Sequence, residues 1–234
     1  MYTVDDSQAK TAAHAVLAAV LQVREGRLQA LLWQRAREPF ASCWALPGGA
    51  LAADETLEES MRRHLAEKVD VRDVAHLEQL ETRSDPDRNP TRRELATAFL
   101  GLVPSGVDPK LPADTRWHAL DELPELAYDH EAILLSARER LRGKLSYTNL
   151  GFALAPPSFT LAELRDLYAA ALGHPVSATN LQRVLLRRRL LEDTGEQRHY
   201  GSGGGRPAAI YRFRTSALEV TDQFAVLRPP TMAH

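Results

Sequence analysis

A single cysteine in 234 residues leaves no partner for an internal disulfide. That excludes the cysteine-dense frameworks of small secreted domains, and a structural zinc site would have to rely mainly on histidine and carboxylate. No run of 18 apolar residues is present, and the first ten residues lack the basic-then-apolar order of a secretion signal. These absences predict a soluble, cytoplasmic chain with no membrane partner. The composition, 44% hydrophobic and 26% charged, is that of one large globular domain or two small ones.

Strong charge of either sign is also missing, since the formal net charge is only −2. Taken whole, that argues against a nucleic-acid partner, whose phosphates favour basic surfaces. The balance is uneven along the chain, however: residues 141–234 hold 12 basic and 7 acidic side chains, a net of +5, against −7 for residues 1–140. Two differently charged halves are therefore expected.

The apolar run from Ala15 to Leu21, the polar break Arg24-Glu25-Gly26-Arg27 and a second apolar run predict a β-hairpin between Ala12 and Arg35 with Gly26 in its turn. Leu57, Met61 and Leu65 at four-residue spacing predict a helix over about Thr56–Lys68. Leu77–Thr82, Leu95–Val103 and Trp117–Leu120 are expected as strands, and Asp129 to about Leu145 as a helix. Ala155-Pro156-Pro157 is the best candidate for a linker. Beyond it, Thr160-Leu-Ala-Glu163 is a capping box that opens a helix to Leu172, with Gly173 ending it. Ser177 opens a second helix to about Leu191. Two strands, Glu196–Tyr200 and Ala208–Phe213, are then joined by a glycine-rich turn, so the order is helix, helix, hairpin.

Two constellations carry chemistry. In the first, Gly49, Glu55 and the run Arg63–Val71 stand at the spacing of the Nudix box, G-x5-E-x7-R-E-U-x-E-E-x-G-U, preceded by Trp44-Ala-Leu-Pro-Gly-Gly49. Here the chain resembles the Nudix superfamily, in which helical carboxylates at i, i+3 and i+4 hold Mg²⁺ against a diphosphate for attack by water. The matching positions are His64, Glu67 and Lys68, so one carboxylate of three is left. The glycine expected near the end of the box is Asp70. An ammonium beside the remaining carboxylate and an imidazole suit Mg²⁺ poorly, so no metal, no cofactor and no catalytic residue are expected. The resemblance implies a Nudix fold that binds a nucleoside diphosphate derivative without efficient hydrolysis. Arg35, Gly48, Gly49, Glu55, Arg63, Glu67, Arg83, Asp85 and Arg88 are the candidate ligand-binding residues, the arginines for bidentate phosphate contacts and the glycines for close backbone approach.

In the second constellation, Leu181, Val184 and Leu185 fall on one side of the Ser177–Leu191 helix and Asn180, Arg183 and Arg187 on another. Thr179, Asn180, Gln182, Arg183, Arg187 and Arg188 are candidate contacts to a DNA groove, with Arg198, His199 and Arg206 at the hairpin tip. Eight arginines and three acids between Asn180 and Arg214 account for the whole positive excess of that half. An arginine-rich helix that merely packs on the first half remains the alternative for this segment.

Together the two constellations make residues 12–213 resemble NrtR-type Nudix-related transcriptional regulators. That resemblance implies an α+β chain with an α/β/α Nudix sandwich (12–155) followed by a winged helix (156–228); a flexible start (residues 1–11) and a tail (229–234) are expected outside them. It implies a homodimeric, nucleoid-associated repressor of NAD biosynthesis or salvage genes, bound to palindromic operator DNA and responsive to ADP-ribose or a related NAD metabolite. The rival expectations are a hydrolase with replacement ligands among Glu55, Asp85, Asp87 and Glu94, and a ligand-binding protein without DNA contact.

Overall fold

The computed structural model describes residues 12–198 and 207–222. The expected N-terminal segment 1–11, the predicted site residues His199 and Arg206, most of the glycine-rich turn and residues 223–234 lie outside the described residues.

Strands β1 (Ala13–Arg24) and β2 (Arg27–Gln34) form the predicted hairpin. Its turn residues Glu25 and Gly26 have φ of 50° and 73°, the pair of positive values that lets a two-residue turn follow the strand twist. There follow β3 (Trp44–Ala45), β4 (Gly48–Ala50), α1 (Leu57–Val69), β5 (His76–Arg83), β6 (Glu94–Leu102), β7 (Thr115–Ala119) and α2 (His130–Tyr147). The sheet runs β3-β2-β1-β6-β5, with β4 added against β1 and β7 against β2. β1 and β6 pair in parallel, and the remaining pairs are antiparallel.

Successive side chains of a strand point to opposite faces, and β1 feeds two cores. Val16, Ala18 and Val20 meet Met61, Leu65 and Val69 of α1. Ala15, Leu17, Ala19 and Leu21 join Ile133, Leu134, Ala137 and Leu141 of α2 in the other core. Burial on both faces explains why β1 reads as a nearly unbroken apolar run, and the result is the expected sandwich.

A short 3₁₀ turn (Leu150–Ala153) leads into β8 (Phe159–Thr160), α3 (Leu161–Leu172), α4 (Ala178–Arg187), β9 (Leu191–Arg198) and β10 (Ala208–Phe213). The strands form a small sheet in the order β8-β10-β9, giving a winged helix. The Thr160/Glu163 capping box and the left-handed Gly173 at φ 75° stand where the sequence predicts them. Two boundaries differ. α4 ends at Arg187 rather than Leu191, and β9 begins at Leu191 rather than Glu196. Leu190 and Leu191 are both buried, and Arg189 turns left-handed at φ 53° to bring them into the core.

Charge divides the chain, but the core does not. The α2 side of the sheet continues through Leu145, Leu150 and Phe152 into Phe159, Leu164, Leu167, Tyr168, Leu181 and Leu185 as one apolar cluster. Ala155, beside the expected Pro156-Pro157 linker, is itself buried. After the wing the chain returns to the end of α2: Asn149 donates to the Ala217 carbonyl at 2.8 Å and accepts from the Glu219 amide at 2.7 Å. Among the described residues no helix is long and apolar enough to cross a membrane.

Because the core is shared, Leu164→Ala in α3 should be felt across the sheet. The expected loss is about 2–5 kcal/mol, read in denaturant titrations by the fluorescence of Trp33, Trp44 and Trp117, all in the first half. An unmoved fluorescence midpoint would mean that the halves unfold independently.

Candidate functional site

Strand β4 lies between β1 and α1, and its glycines are there for want of space. A Cβ on Gly48 would stand 2.1 Å from the Val16 carbonyl oxygen, and one on Gly49 would stand 2.5 Å from Cε1 of His64. Helix α1 opens with a Thr56/Glu59 capping box and ends at Asp70 in the left-handed region, φ 51°. Asp70 thus takes the backbone shape for which the box pattern specifies glycine, at a modest steric cost.

One face of α1 meets the loop. His64 is 5% exposed, and its Nε2 donates to the Ala50 carbonyl at 3.0 Å. Burial keeps this imidazole below its usual pKa, and the Lys68 and Arg63 charges add to the effect. The Lys68 ammonium donates to the Gly48 carbonyl and sits 5.6 Å from the centre of the Trp33 ring. The residue as a whole is exposed, but desolvation of its ammonium lowers its pKa, and the Arg63 and Arg35 charges add to the effect.

The other charged box residues, Glu55 in the loop before α1 and Arg63 and Glu67 on the helix, pair with one another. Arg63 donates twice to Glu55, each time at 2.7 Å, and the guanidinium holds that carboxylate at about 2. Glu67 is exposed and 3.3 Å from Arg63. This chain of ion pairs clips the preceding loop to α1.

Between α1, β1 and the start of α2 lies a cavity of about 230 Å³. Arg35, Lys68, Arg88 and Arg92 line it, with Glu94 its one acidic wall residue. Arg88 has a side chain only 2% exposed and bonds Asp129 at 2.7 Å and Glu94 at 3.3 Å. Arg92 donates through Nε to Glu94 at 2.8 Å. Arg35 lies over the Tyr128 ring at 4.9 Å, and Tyr128 holds a left-handed φ of 56°. His130 is buried and accepts the Leu46 amide proton on Nδ1 at 3.0 Å. Burial lowers its pKa to about 3. A net positive pocket in an acidic half of the chain is built for an anion, and the aromatic faces of Trp33 and Tyr128 allow stacking beside it. Two larger grooves where α3 meets the sheet domain are lined by arginines matched by acids, Arg24 with Asp108 and Arg165 with Asp166.

Of the residues singled out in the sequence, Arg35, Gly48, Gly49 and Arg88 line this cavity. Glu55, Arg63 and Glu67 do not, since they satisfy one another outside it. Arg83 turns instead to Glu81 and to Ser136 of α2. Asp85 is exposed and accepts the Asp87 amide within its own loop. The replacement carboxylates suggested for a hydrolase are therefore scattered, and among the described residues no three His, Cys, Asp or Glu side chains converge as a metal site. Sequence reasoning missed Lys68, Arg92, Tyr128 and His130 as wall residues. Lys68 was detectable, being one turn after His64 on the same helix face. Tyr128 and His130 arrive through the β7–α2 connection and carry no local signal.

On the winged helix, Thr179, Asn180, Arg183 and Arg187 are exposed, Gln182 is half-buried, and Leu181 and Leu185 are buried beneath them. Arg183 donates to the Asn180 side-chain oxygen at 2.8 Å. Arg188 departs from the expected DNA-facing role. Its side chain is 11% exposed, pairs with Asp222 at 2.6 Å and donates to the Ser146 carbonyl at 2.9 Å. It fastens α4 to the last turn of α2, because Leu181 and Leu185 turn that side of the helix inward. Arg198 pairs with Glu163 of α3.

Comparison with known proteins agrees with both constellations. A family model for the NUDIX domain matches residues 13–137, and one for the NrtR DNA-binding winged helix domain matches residues 151–213. The chain is 33% identical over 202 residues to the ADPR responsive transcriptional repressor NtrR of Acinetobacter baylyi, covering 83% of this chain and 79% of that protein. It also resembles Shewanella oneidensis NrtR complexed with a 27mer DNA, with a TM-score of 0.73 and 31% identity over 86% of this chain and 93% of that one. The NUDIX domain of that NrtR complexed with ADP ribose matches with a TM-score of 0.52 and 30% identity, over 59% of this chain and 94% of that one.

His130 gives a pH test. Its folded pKa of about 3 lies below the ordinary 6.5, so the neutral form favours folding; the contribution is complete above 6.5 and is lost as pH falls towards 3. Thermal midpoints should decline through this window. His130→Asn should begin lower at about pH 7.5 yet lose less between about pH 6.5 and 4.5, above the range where the lowered carboxylates titrate. An equal decline in both proteins would remove His130 from the account.

Proposed function

The chain belongs to the NrtR family of Nudix-related regulators, and we propose that it is a repressor whose cationic cavity takes ADP-ribose or a related NAD metabolite and thereby controls operator binding by α4. The observation that carries this reading is that one chain joins an anion pocket to an exposed Asn180/Arg183/Arg187 face through a single helix. α2 begins at the cavity, with Asp129 on Arg88 and His130 on Leu46. It ends where Arg188 of α4 grips Ser146. An 18-residue helix spans about 27 Å.

The diphosphate would be held by Arg35, Arg88 and Arg92, and it would compete with Asp129 for Arg88. Effector action requires different affinities for two arrangements of the protein, and the Arg88–Asp129 pair at the root of α2 is where a bound anion would bias them. Two copies on a palindromic site would place one α4 in each half-site groove. With His64 and Lys68 in place of box glutamates, the bound ligand is expected to be hydrolysed slowly or not at all, as suits a sensor. The expected targets are genes of NAD biosynthesis or salvage.

A mobility shift on the protein's own promoter region tests the reading. Addition of ADP-ribose should remove the shifted band, and Arg183→Ala with Arg187→Ala should weaken binding at least about tenfold. A slope of log affinity on log salt steeper than about −5 is expected for a dimer with three or more phosphate contacts per subunit. A flat slope together with unchanged binding by the double variant would overturn the DNA role. In a separate assay with ADP-ribose and Mg²⁺, AMP release should be very slow, and His64→Glu with Lys68→Glu should raise it. Prompt turnover by the unaltered protein would favour the enzyme.

A further inference from the structure

A Nudix box of this spacing holds its divalent cation with carboxylates from α1, and the residues present do not fit such an ion. The imidazole at one ligand position is spent on the Ala50 carbonyl. The ammonium at another is bonded to the Gly48 carbonyl. The space beside Gly49 is filled by the same two groups, with Lys68 Nζ 2.9 Å and His64 Nε2 2.8 Å from the place of a Cβ. The remaining carboxylate, Glu67, is exposed on Arg63.

We propose that Lys68 is the resident cation of the cavity, so that a nucleoside diphosphate is bound by Lys68 together with Arg35, Arg88 and Arg92, with no divalent metal between protein and ligand. This rests on the reading of the cavity as the effector site and adds to it the charge that replaces the metal. A lysine ammonium has three donors. Gly48 takes one, which leaves two for phosphate oxygens. The Trp33 face at 5.6 Å and the Gly48 carbonyl fix the ammonium on the cavity wall without neutralising it. Arg88 and Arg92 are already engaged by Asp129 and Glu94, and the four cations face one acidic wall residue. Lys68 as a residue is exposed, but its ammonium is desolvated against the Gly48 carbonyl, and the Arg63 and Arg35 charges act on it, which together lower its pKa; an incoming dianion relieves that repulsion. The same arrangement separates binding from cleavage, because an ammonium attracts the diphosphate but supplies no metal-bound water.

Calorimetric titration of the full chain with ADP-ribose, once in EDTA and once in Mg²⁺, tests this. The unaltered protein should bind in both buffers with affinities within about threefold, Lys68→Met should bind at least about tenfold more weakly in both, and Lys68→Glu should lose binding in EDTA. Retained thermal midpoints and promoter binding would show that the variants fold. If a variant fails to fold, the comparison of buffers on the unaltered protein still decides. Binding that falls more than about tenfold in EDTA would overturn the metal-free proposal while leaving the effector reading in place. Wild-type affinity in folded Lys68→Met would equally overturn it. No binding of ADP-ribose in either buffer would overturn the effector reading and this proposal with it.

Discussion

The buried stripe of α2 is the contact on which the rest of the arrangement depends. Ile133, Leu134, Ala137, Leu141 and Leu145 belong to one apolar cluster with both the sheet of the Nudix sandwich and the helices of the winged domain. A helix held this way cannot act as a slack tether. Interiors packed to crystal-like density transmit a displacement instead of absorbing it. Polar fastenings at its two ends complete the arrangement: Asp129 and His130 beside the cavity, and Ser146 with the returning Ala217–Asp222 segment beside α4. Sensor and reader therefore share a structural part, although their surface charges are opposite.

The cavity keeps the framework of the box while two of its three helical carboxylates are replaced by His64 and Lys68. Loop and helix keep their relative positions because Glu55 and Arg63 still clip them together and because Gly48 and Gly49 still admit β1 and α1 at close range. What has changed is the sign of the charge behind the diphosphate position. A carboxylate cluster repels a phosphate unless a metal intervenes, whereas the wall here carries Lys68 and three arginines. Cavity and α4 thus both present guanidinium groups, Arg35, Arg88 and Arg92 in the one and the exposed Arg183 and Arg187 on the other.

Legibility in the sequence followed the range of the interaction. The Thr160/Glu163 capping box, the Gly173 stop and the Gly26 turn were readable because each is settled within four residues. The end of α4 was misplaced by four residues, since Leu190 and Leu191 continue an apolar pattern along the chain but are claimed by the core at a new angle. Among site residues, the box with its preceding Trp-x-Leu-Pro-Gly-Gly motif located Gly48 and Gly49, and the resemblance to the Nudix superfamily pointed to the loop bearing Arg88. The box also nominated Glu55, Arg63 and Glu67, which pair among themselves and do not line the cavity. In sequence Arg188 resembles its neighbours Arg187 and Arg189; its bonds to Asp222 and to the Ser146 carbonyl distinguish it.

By itself the sequence determined the two-part organisation, the degenerate box and the basic second half, because spacing, capping and local charge are properties of neighbours along the chain. Tertiary structure decided which cations meet in one cavity, that Lys68 stands on the Gly48 carbonyl, that Arg188 is an anchor, and that the two halves share a core. Those facts depend on groups between 20 and more than 40 residues apart in the chain, and whether such groups meet is fixed by how the helices and sheet pack, which no local pattern records.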